Sequence, residues 1–385
     1  MRINALSSWL LAASVTLLAG CSSLNPFSAR APQPAALVEF QPSAQLHPVW
    51  QTRVGSAAGY TFQPAVVGSD VFAAAHDGTV MRVAEGRTVW RASLGDRLSA
   101  GVGSDGLLAT VVTTAGDVIA LDAETGSERW RAPVGAEVLA PPAVTAATVV
   151  VRASDQRVLG FDARSGEQRW DYQRTTPALV LRSTAGMLAE DGVVVVGFPG
   201  GKLVAINAES GAPLWELTVT TPRGVTELER IADIAGTAVL GRREVCAVAY
   251  QGRAACFDLD NGNAIWSREF SSAVGMDRDT RFVFITDAAD GVNALDAFNG
   301  ATVWKQDAMT RRKVSRPVAV GDFVAVGDFE GYVHLIDRER GRFAARTRAD
   351  NSAVTADPLP LPGFQRFLVQ TRDGTLTAYE VRQVE

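Results

Sequence analysis

Apolar and polar residues alternate in short runs along most of this chain, and turn residues separate the runs. The segment 320–337 shows the pattern: an alternating run from Val320 to Val326, the turn Asp328-Phe-Glu-Gly331, and a second run from Tyr332 to Asp337. Alternation with a period of two, bounded by glycine and aspartate, predicts short antiparallel strands joined by hairpins. The chain is therefore predicted to be all-β, with almost no helix.

These strands fall into a repeat of about 40 residues. Its frame is (V/L)-x-A-(L/F)-D-A-x-x-G-x-x-x-W, with the clearest copies at 118–130, 158–170 and 203–215. A turn glycine precedes the third strand of each unit, at Gly78, Gly116, Gly201, Gly252, Gly291, Gly331 and Gly374, with Gln156 in its place in one further unit. Strand-rich units at this period are typical of blades arranged around an axis. The sequence predicts an eight-bladed β-propeller of four-stranded antiparallel blades.

The tryptophans of the repeat have two interpretations. They are Trp50, Trp90, Trp130, Trp170, Trp215, Trp266 and Trp304. A large flat side chain on the outer strand can fill the gap between blades while its N–H reaches a backbone carbonyl. The alternative, an exposed ring of aromatics that stacks on sugars or bases, conflicts with their regular placement beside a turn. We expect them to be structural docking residues.

The two ends of the chain complement each other. The last unit, 353–381, stops without a G-x-x-x-W outer strand, and the segment 50–55 near the N-terminus matches the outer strand at 130–135. Pairing the N-terminal strand with the C-terminal unit would remove an open sheet edge. We expect the ring to be closed in this way.

The N-terminus has the features of a secretory signal at residues 1–20, with Arg2, an apolar run from Trp9 to Leu18, and small residues after it. The ending Leu18-Ala-Gly-Cys21 resembles the bacterial lipobox, which implies lipidation of Cys21; a plain secreted protein is the alternative. Ser22 after the cysteine resembles the sorting signal for the outer membrane. Residues 21–45 are rich in Pro, Ala, Ser and Gln and are predicted to be a flexible tether, and residues 46–385 form the propeller.

Charge and cysteines narrow the picture further. The net charge is -5 without any long run of Lys or Arg, which argues against nucleic-acid binding. Cys246 and Cys256 flank the turn at Gln251. A three-residue loop would place them directly opposite each other, and a two-residue loop would place them on opposite faces of the sheet. In an oxidising compartment we predict a disulfide; the alternative is two small buried apolar residues.

Catalytic signals are weak. His47, His76 and His334 lie in different units without a partner at metal-ligand spacing, and the sequence contains neither a nucleophile elbow nor a phosphate-binding glycine loop. Aspartates recur at one position of the repeat, and we predict that they cap turns; they are Asp122, Asp162, Asp258, Asp296 and Asp337. The sequence therefore predicts neither an enzyme nor a cofactor.

The A-x-D-x-x-x-G-x-x-x-W frame resembles that of the quinoprotein alcohol and glucose dehydrogenases, which are also eight-bladed. Those enzymes hold a quinone and Ca²⁺ at the centre of the ring. This chain lacks the adjacent Cys-Cys pair of the alcohol enzymes. A quinone- and calcium-dependent enzyme stays as one alternative, and a periplasmic glycan-binding propeller as another.

The lipobox, tether, eight blades and two long units together resemble the BamB family of lipoproteins. Tryptophan spacing is 40 residues from Trp50 to Trp170, then 45 and 51, so the extra residues lie between Trp170 and Gly201 and between Trp215 and Cys246. The resemblance implies a non-enzymatic scaffold of the outer-membrane β-barrel assembly (BAM) complex, on the periplasmic side of the outer membrane. It implies BamA, through its periplasmic domains, as partner, with unfolded barrel precursors as a second candidate.

The family's contact with BamA is placed in those two long segments. Leu179, Leu181 and Arg182 match its Leu-x-Leu-Arg pattern, and Asp233 matches the first residue of its Asp-x-Asp segment, whereas Ala235 replaces the second. From the residues alone, two leucines on one face of an extended segment beside a guanidinium form a compact anchor if exposed. The alternative is an ordinary first strand with both leucines in the core.

Overall fold

The computed structural model describes residues 33–175 and 177–384. The predicted signal at residues 1–20 and the lipidation site Cys21 lie outside the described residues. All strands belong to the compact unit that begins at Ala35, and the described residues contain no helix. Accordingly, the described part has no helical segment of the length and hydropathy needed to cross a bilayer.

In residues 33–175 and 177–384, thirty-two strands form eight four-stranded antiparallel sheets, the blades. Blade 1 consists of β2 (Ala65–Val67), β3 (Asp70–Ala74), β4 (Thr79–Ala84) and β5 (Arg87–Ser93), and blade 2 of β6 (Leu98–Ser104), β7 (Leu108–Thr113), β8 (Asp117–Asp122) and β9 (Glu128–Pro133). Blade 3 consists of β10 (Ala143–Val144), β11 (Thr148–Arg152), β12 (Val158–Asp162) and β13 (Gln168–Tyr172), and blade 4 of β14 (Leu188–Glu190), β15 (Val193–Phe198), β16 (Lys202–Asn207) and β17 (Pro213–Thr218).

Blades 5 to 8 repeat the order. Blade 5 consists of β18 (Ile234–Leu240), β19 (Glu244–Ala249), β20 (Gly252–Asp258) and β21 (Ala264–Phe270), and blade 6 of β22 (Met276–Arg278), β23 (Phe282–Thr286), β24 (Val292–Asp296) and β25 (Thr302–Gln306). Blade 7 consists of β26 (Val318–Val320), β27 (Phe323–Gly327), β28 (Tyr332–Asp337) and β29 (Phe343–Arg348). Blade 8 consists of β30 (Leu359–Pro360), β31 (Arg366–Gln370) and β32 (Thr375–Gln383), completed by β1 (Ala44–Arg53). The predicted eight-bladed architecture is confirmed.

The core lies between the blades rather than within any one of them. Each hydrophobic cluster draws residues from two adjacent blades, and such clusters join every consecutive pair, including blades 8 and 1. The middle strands are buried over most of their length, as in β7 and β11, because both of their faces meet a neighbouring blade. Removing apolar area from water on both faces of each blade stabilises the ring as a whole.

The ring is closed by β1, as predicted. This strand pairs antiparallel with β32 from Ala44 opposite Gln383 to Arg53 opposite Thr375, with a bulge beside Trp50. The N-terminal strand thereby supplies the outer strand that blade 8 lacks.

The motif G-x-x-x-W joins neighbouring blades. The tryptophan of one blade covers the motif glycine of the next: Gly166 has φ +74°, and a Cβ added there would lie 2.6 Å from the Trp130 ring. The same contact recurs for Gly86 with Trp50, Gly126 with Trp90, Gly211 with Trp170, Gly300 with Trp266 and Gly341 with Trp304. Only glycine leaves room for the ring there and tolerates the left-handed backbone.

The indole N–H groups complete these docks. Trp130 donates to the Ala163 carbonyl at 2.9 Å, and equivalent bonds of 2.7–3.0 Å are made by Trp90, Trp170, Trp266 and Trp304. Trp215 differs. Leu259 replaces the usual alanine in the next blade and packs in the same cluster, and Gly262 faces Leu217 instead of the indole. Within the described residues, five indoles therefore make both contacts and Trp50 makes only the contact with the glycine. Trp215 makes neither contact there.

Two further features of the repeat follow the sequence. The recurring aspartates cap the turn after the third strand, as in Asp122, whose Oδ1 accepts N–H bonds from Glu124 and Thr125. Register places Cys246 directly opposite Cys256 on β19 and β20, and the structure joins them in a disulfide.

Residues 35–43, the N-terminal strap, lie against blade 7. Arg312 donates Nη1–H to the Ala35 carbonyl at 2.9 Å, and Arg346 donates Nη1–H to the Val38 carbonyl at 3.0 Å. Phe40 packs on Phe343 with 5.5 Å between ring centroids. The boundary predicted at residues 45 and 46 therefore differs from the structure, because residues 35–45, placed in the tether by composition, belong to the propeller.

Candidate functional site

The two longest connections between blades lie on one end of the ring. Residues 173–187 link β13 to β14, and residues 219–233 link β17 to β18. Each joins the outer strand of one blade to the inner strand of the next, so both emerge on the side that also carries the turns between second and third strands. The extra residues inferred from tryptophan spacing are therefore neighbours in space.

Asp233 ties the two connections together. Its Oδ2 accepts the Leu181 N–H at 2.6 Å, and its Oδ1 accepts the Gly200 N–H at 3.4 Å. Asp233 is only 4 % exposed, and burial raises the pKa of its carboxyl. In the structure this carboxylate positions the backbone at Leu181, and contact of Asp233 with a partner stays a prediction.

Leu179, Leu181 and Arg182 form a partly exposed group, the 179–182 patch. Leu179 is 42 % exposed and Leu181 is half-buried. Arg182 projects outward, with an ion pair of 2.7 Å to Glu137 and a side chain that is 67 % exposed. The first strand of blade 4 begins only at Leu188. The alternative of a core strand carrying Leu179 and Leu181 is therefore not the observed conformation.

The second connection presents another apolar pair that the sequence analysis missed. Val225 is 97 % exposed and Leu228 is 68 % exposed. Thr226 and Glu229 form a capping box: the Glu229 N–H donates to Thr226 Oγ1 at 3.3 Å, and the Thr226 N–H donates to Glu229 Oε2 at 3.0 Å. The Thr-x-x-Glu spacing was the sequence signal that could have located this turn.

Arg152 occupies an unusual position beneath the 179–182 patch. It ends β11, is 7 % exposed, and donates from Nη2 to Gln156 Oε1 at 3.2 Å. Its Nη1 is buried and has no hydrogen-bond partner within the described residues. A pocket of about 170 Å³ lies between this side chain and residues 180–183.

The centre of the ring contains a cavity of about 1040 Å³. Arg316 lines it and donates to the Met276 carbonyl at 2.5 Å and to Asp277 at 3.3 Å. Burial raises the pKa of Asp277 and of Asp357, which also line the cavity. Across residues 33–175 and 177–384, no group of three or more His, Cys, Asp or Glu side chains is placed to hold a metal ion.

The sequence profile described as "Outer membrane protein assembly factor BamB" matches residues 76–306 and 288–384. The chain belongs to the BamB family. The protein named outer membrane protein assembly factor BamB in Bordetella pertussis is 43 % identical over 362 residues, 93 % of each chain. The crystal structure of BamB from Moraxella catarrhalis has a TM-score of 0.81 at 28 % identity and covers 87 % of this chain and 100 % of that one.

The comparisons also bear on the enzyme alternative. BamB relatives are named as assembly factors and not as enzymes. A quinohemoprotein alcohol dehydrogenase from Comamonas testosteroni has a TM-score of 0.69 at 14 % identity, over 88 % of this chain and 78 % of that chain. At that identity the likeness concerns the propeller fold alone.

Proposed function

We propose that this chain is a non-enzymatic outer-membrane protein assembly factor that binds the periplasmic domains of BamA through the 179–182 patch. Membership of the BamB family supports the assembly role. The observation that carries the contact is the exposure of Leu179 and Arg182 on a segment fixed by Asp233. An apolar side chain beside a planar cation offers both buried area and a fork for a carboxylate.

The rigidity of the patch supports this use. The Leu181 amide is held by Asp233, and Arg182 is held by Glu137. A segment held in position before it binds loses less conformational freedom on association, so more of the contact energy appears as affinity. The outer strands of the blades provide short edges to which an extended barrel precursor could add by main-chain hydrogen bonds.

The partner assignment is tested by changing Leu179 to Asp and Arg182 to Glu in one variant and measuring co-purification with BamA from detergent-solubilised membranes. We expect co-purification to be lost while circular dichroism is unchanged. The matched control changes Leu107 to Asp and Arg340 to Glu, which lie in exposed turns at the opposite end of the ring. Co-purification of the first variant at the level of the control would contradict the assignment.

Anchoring is part of the same proposal. We place the propeller on the periplasmic face of the outer membrane, held by acyl chains on Cys21, because that residue is the cysteine of the lipobox-like ending Leu18-Ala-Gly-Cys21. Several acyl chains on one residue give stable membrane attachment that a single chain does not. The test is metabolic labelling with radioactive palmitate: we expect label in the wild type and none in Cys21→Ala. An unlabelled wild-type protein in the soluble periplasmic fraction would refute the anchor.

A further inference from the structure

We infer that the pocket over Arg152 is a subsite for one carboxylate side chain, Asp or Glu, of the partner that docks on the 179–182 patch. The inference rests on the proposed function and deepens it. It assigns to blade 3 a buried recognition site beneath the exposed anchor residues. Four features of the structure carry the argument.

The first feature is the isolation of the charge within the repeat. Arg152 pairs with Val158 at a position three residues before the turn centre. The residues at this register in the other blades are uncharged: Ala74, Val112, Gly197, Val248, Thr286, Gly327 and Gln370. Burying a guanidinium costs free energy unless it is paired. The repeat does not need a cation here, so the propeller fold does not account for Arg152.

The second feature is the missing acceptor. Arg152 Nη1 is buried without a hydrogen bond in the described part of the chain. The negative charge of Asp233 favours the charged form of Arg152 and so raises its pKa. Both carboxylate oxygens of Asp233, however, already accept backbone N–H bonds from Leu181 and Gly200. Burial lowers the pKa of Arg152 to about 10, so the side chain remains cationic at neutral pH. A buried donor without an acceptor is rare in folded proteins.

The third feature is the strained neighbour that supports Arg152. Gln156 stands where most blades have a turn glycine, and it adopts φ +73°, in the left-handed region that costs a side chain free energy. Its Oε1 accepts a hydrogen bond from Arg152 Nη2, and its Nε2 donates to the Ser154 carbonyl at 3.1 Å. The turn thus holds the guanidinium in place at the expense of backbone strain.

The fourth feature is the chemistry of the pocket wall. Among the described residues, its two ionisable side chains are those of Arg152 and Arg182, and the others are apolar, amide or hydroxyl side chains. No carboxylate from the described part of the chain lines it. Leu181 and Arg182 belong to both the pocket wall and the 179–182 patch, so a chain bound on the patch passes the pocket mouth. A guanidinium fits a planar carboxylate with two parallel hydrogen bonds, and the volume of about 170 Å³ suits one side chain.

The experiment measures binding of the full mature chain to the purified periplasmic domains of BamA by calorimetry. We compare the wild type with Arg152→Met, Arg152→Lys and the control Arg129→Met, a surface arginine at the opposite end of the blades that pairs with Asp122. Removing one partner of a buried charged pair weakens binding by about 30-fold or more. We expect that loss for Arg152→Met, a smaller loss for Arg152→Lys, and a change within about twofold for Arg129→Met.

A second arm leaves this chain unchanged, so it does not depend on how Arg152→Met folds. Each exposed Asp or Glu of the BamA domains is changed to Asn or Gln. We expect one such change to reproduce the loss in the wild type and to have no further effect in Arg152→Met, as a double-mutant cycle shows for a direct pair. Additive losses for every acidic residue would overturn the inference.

The outcomes separate this inference from the proposed function. If the wild type does not bind the BamA domains, the proposed function fails. If Leu179→Asp abolishes binding and Arg152→Met binds like the wild type, the function stands and the inference is wrong. Sodium acetate tests whether the pocket binds a free anion from solution instead of a partner side chain. If acetate shifts the Arg152 Nε resonance while Arg152→Met still binds BamA normally, the pocket holds a solution anion and the assignment to a partner is refuted.

Discussion

At the scale of single residues, the indole docks show how one motif serves two blades. Trp130 sits on its own blade but bonds to Ala163 and covers Gly166 of the next. The sequence shows Gly166 and Trp170 as one motif, although in space the glycine belongs with the preceding tryptophan. The predicted docking role is thus right for most of the set, and the exchange between neighbours becomes visible only in three dimensions.

Trp130→Ala is expected to destabilise the propeller by about 3–5 kcal/mol, since a buried indole leaves a cavity and an unpaired carbonyl. Trp215→Ala is the matched control, because its indole donates no hydrogen bond among the described residues and does not cover Gly262. The decrease in the free energy of unfolding should be smaller for Trp215→Ala than for Trp130→Ala by about 1 kcal/mol or more. Urea unfolding followed by tryptophan fluorescence measures both, and equal losses would contradict this account of the dock.

His334 predicts a pH dependence of stability. It is fully buried, Nδ1 accepts the Arg346 Nε–H at 3.1 Å, and Nε2–H therefore donates to Asp328 at 2.9 Å. Burial lowers the pKa of His334 below its usual 6.5, against the raising effect of Asp328. The unfolded chain then binds the proton more readily, so stability is complete above pH 6.5 and falls as pH decreases below it.

We expect the protonation of His334 in the unfolded chain to decrease the free energy of unfolding of the wild type between pH 7 and about pH 5. His334→Gln should give a flatter profile over the same interval, even if its stability at pH 7 is lower. Urea midpoints at several pH values provide the measurement. A wild-type profile as flat as that of the variant would show that His334 does not couple folding to protonation.

Asp233 and Arg152 show what residue-level reasoning from sequence could and could not find. The family pattern located Asp233, but its burial depends on where the Leu181 and Gly200 amides come to lie, and backbone donors leave no trace in a sequence. Arg152 does leave one, as a single charge at the end of the apolar run Val149-Val-Val151. A comparison of that position across the eight units would have singled it out.

At the scale of elements, register determines the cysteine pair. The turn between β19 and β20 is centred on Gln251, so Cys246 and Cys256 face each other across a non-terminal part of the hairpin. The two loop lengths weighed from the sequence differ by one residue, and one residue decides between the same face and opposite faces. The hairpin was predictable, whereas its register required the structure.

The disulfide is expected to form in the exported protein. The mass of the denatured, non-reduced chain should be lower by two hydrogens than that of the reduced chain. Changing both cysteines to Ala should lower stability by about 2–3 kcal/mol, as for a short closed loop. Adding reductant to the wild type should give a similar decrease and leave the double variant unaffected. Two free thiols in the exported chain would contradict the pairing.

At the scale of the whole molecule, the architecture was largely readable because each blade carries its own signals. Alternation, turn glycines and the outer tryptophan all recur within about 40 residues, so blade number follows from counting. Ring closure was readable for the same reason, since Trp50 carries the motif of a missing outer strand. The strap was not, because it is held through backbone carbonyls by Arg312 and Arg346, far away in sequence.

Removing β1 is expected to affect the whole ring rather than one blade. A chain beginning at Val54 loses the pairing with β32 and the Trp50 contact on Gly86. We expect it to lose several kcal/mol, a large part of the 5–15 kcal/mol that is usual for a domain, in thermal melts by circular dichroism. A chain beginning at Ala35 is the control and should melt like the full mature protein. Recovery of the original melting temperature on addition of a peptide of residues 44–53 would confirm that the stability of the ring depends on this strand.

The strap on blade 7 has a mechanical consequence. Tension applied at Ala35 acts first on the contacts between the strap and blade 7. These are the hydrogen bonds of Arg312 and Arg346 to strap carbonyls and the packing of Phe40 on Phe343. The closing strand is thereby shielded from load at its first residue. A pull on the N-terminus is therefore carried first by contacts with blade 7 and only afterwards by the pairing of β1 with β32 in blade 8.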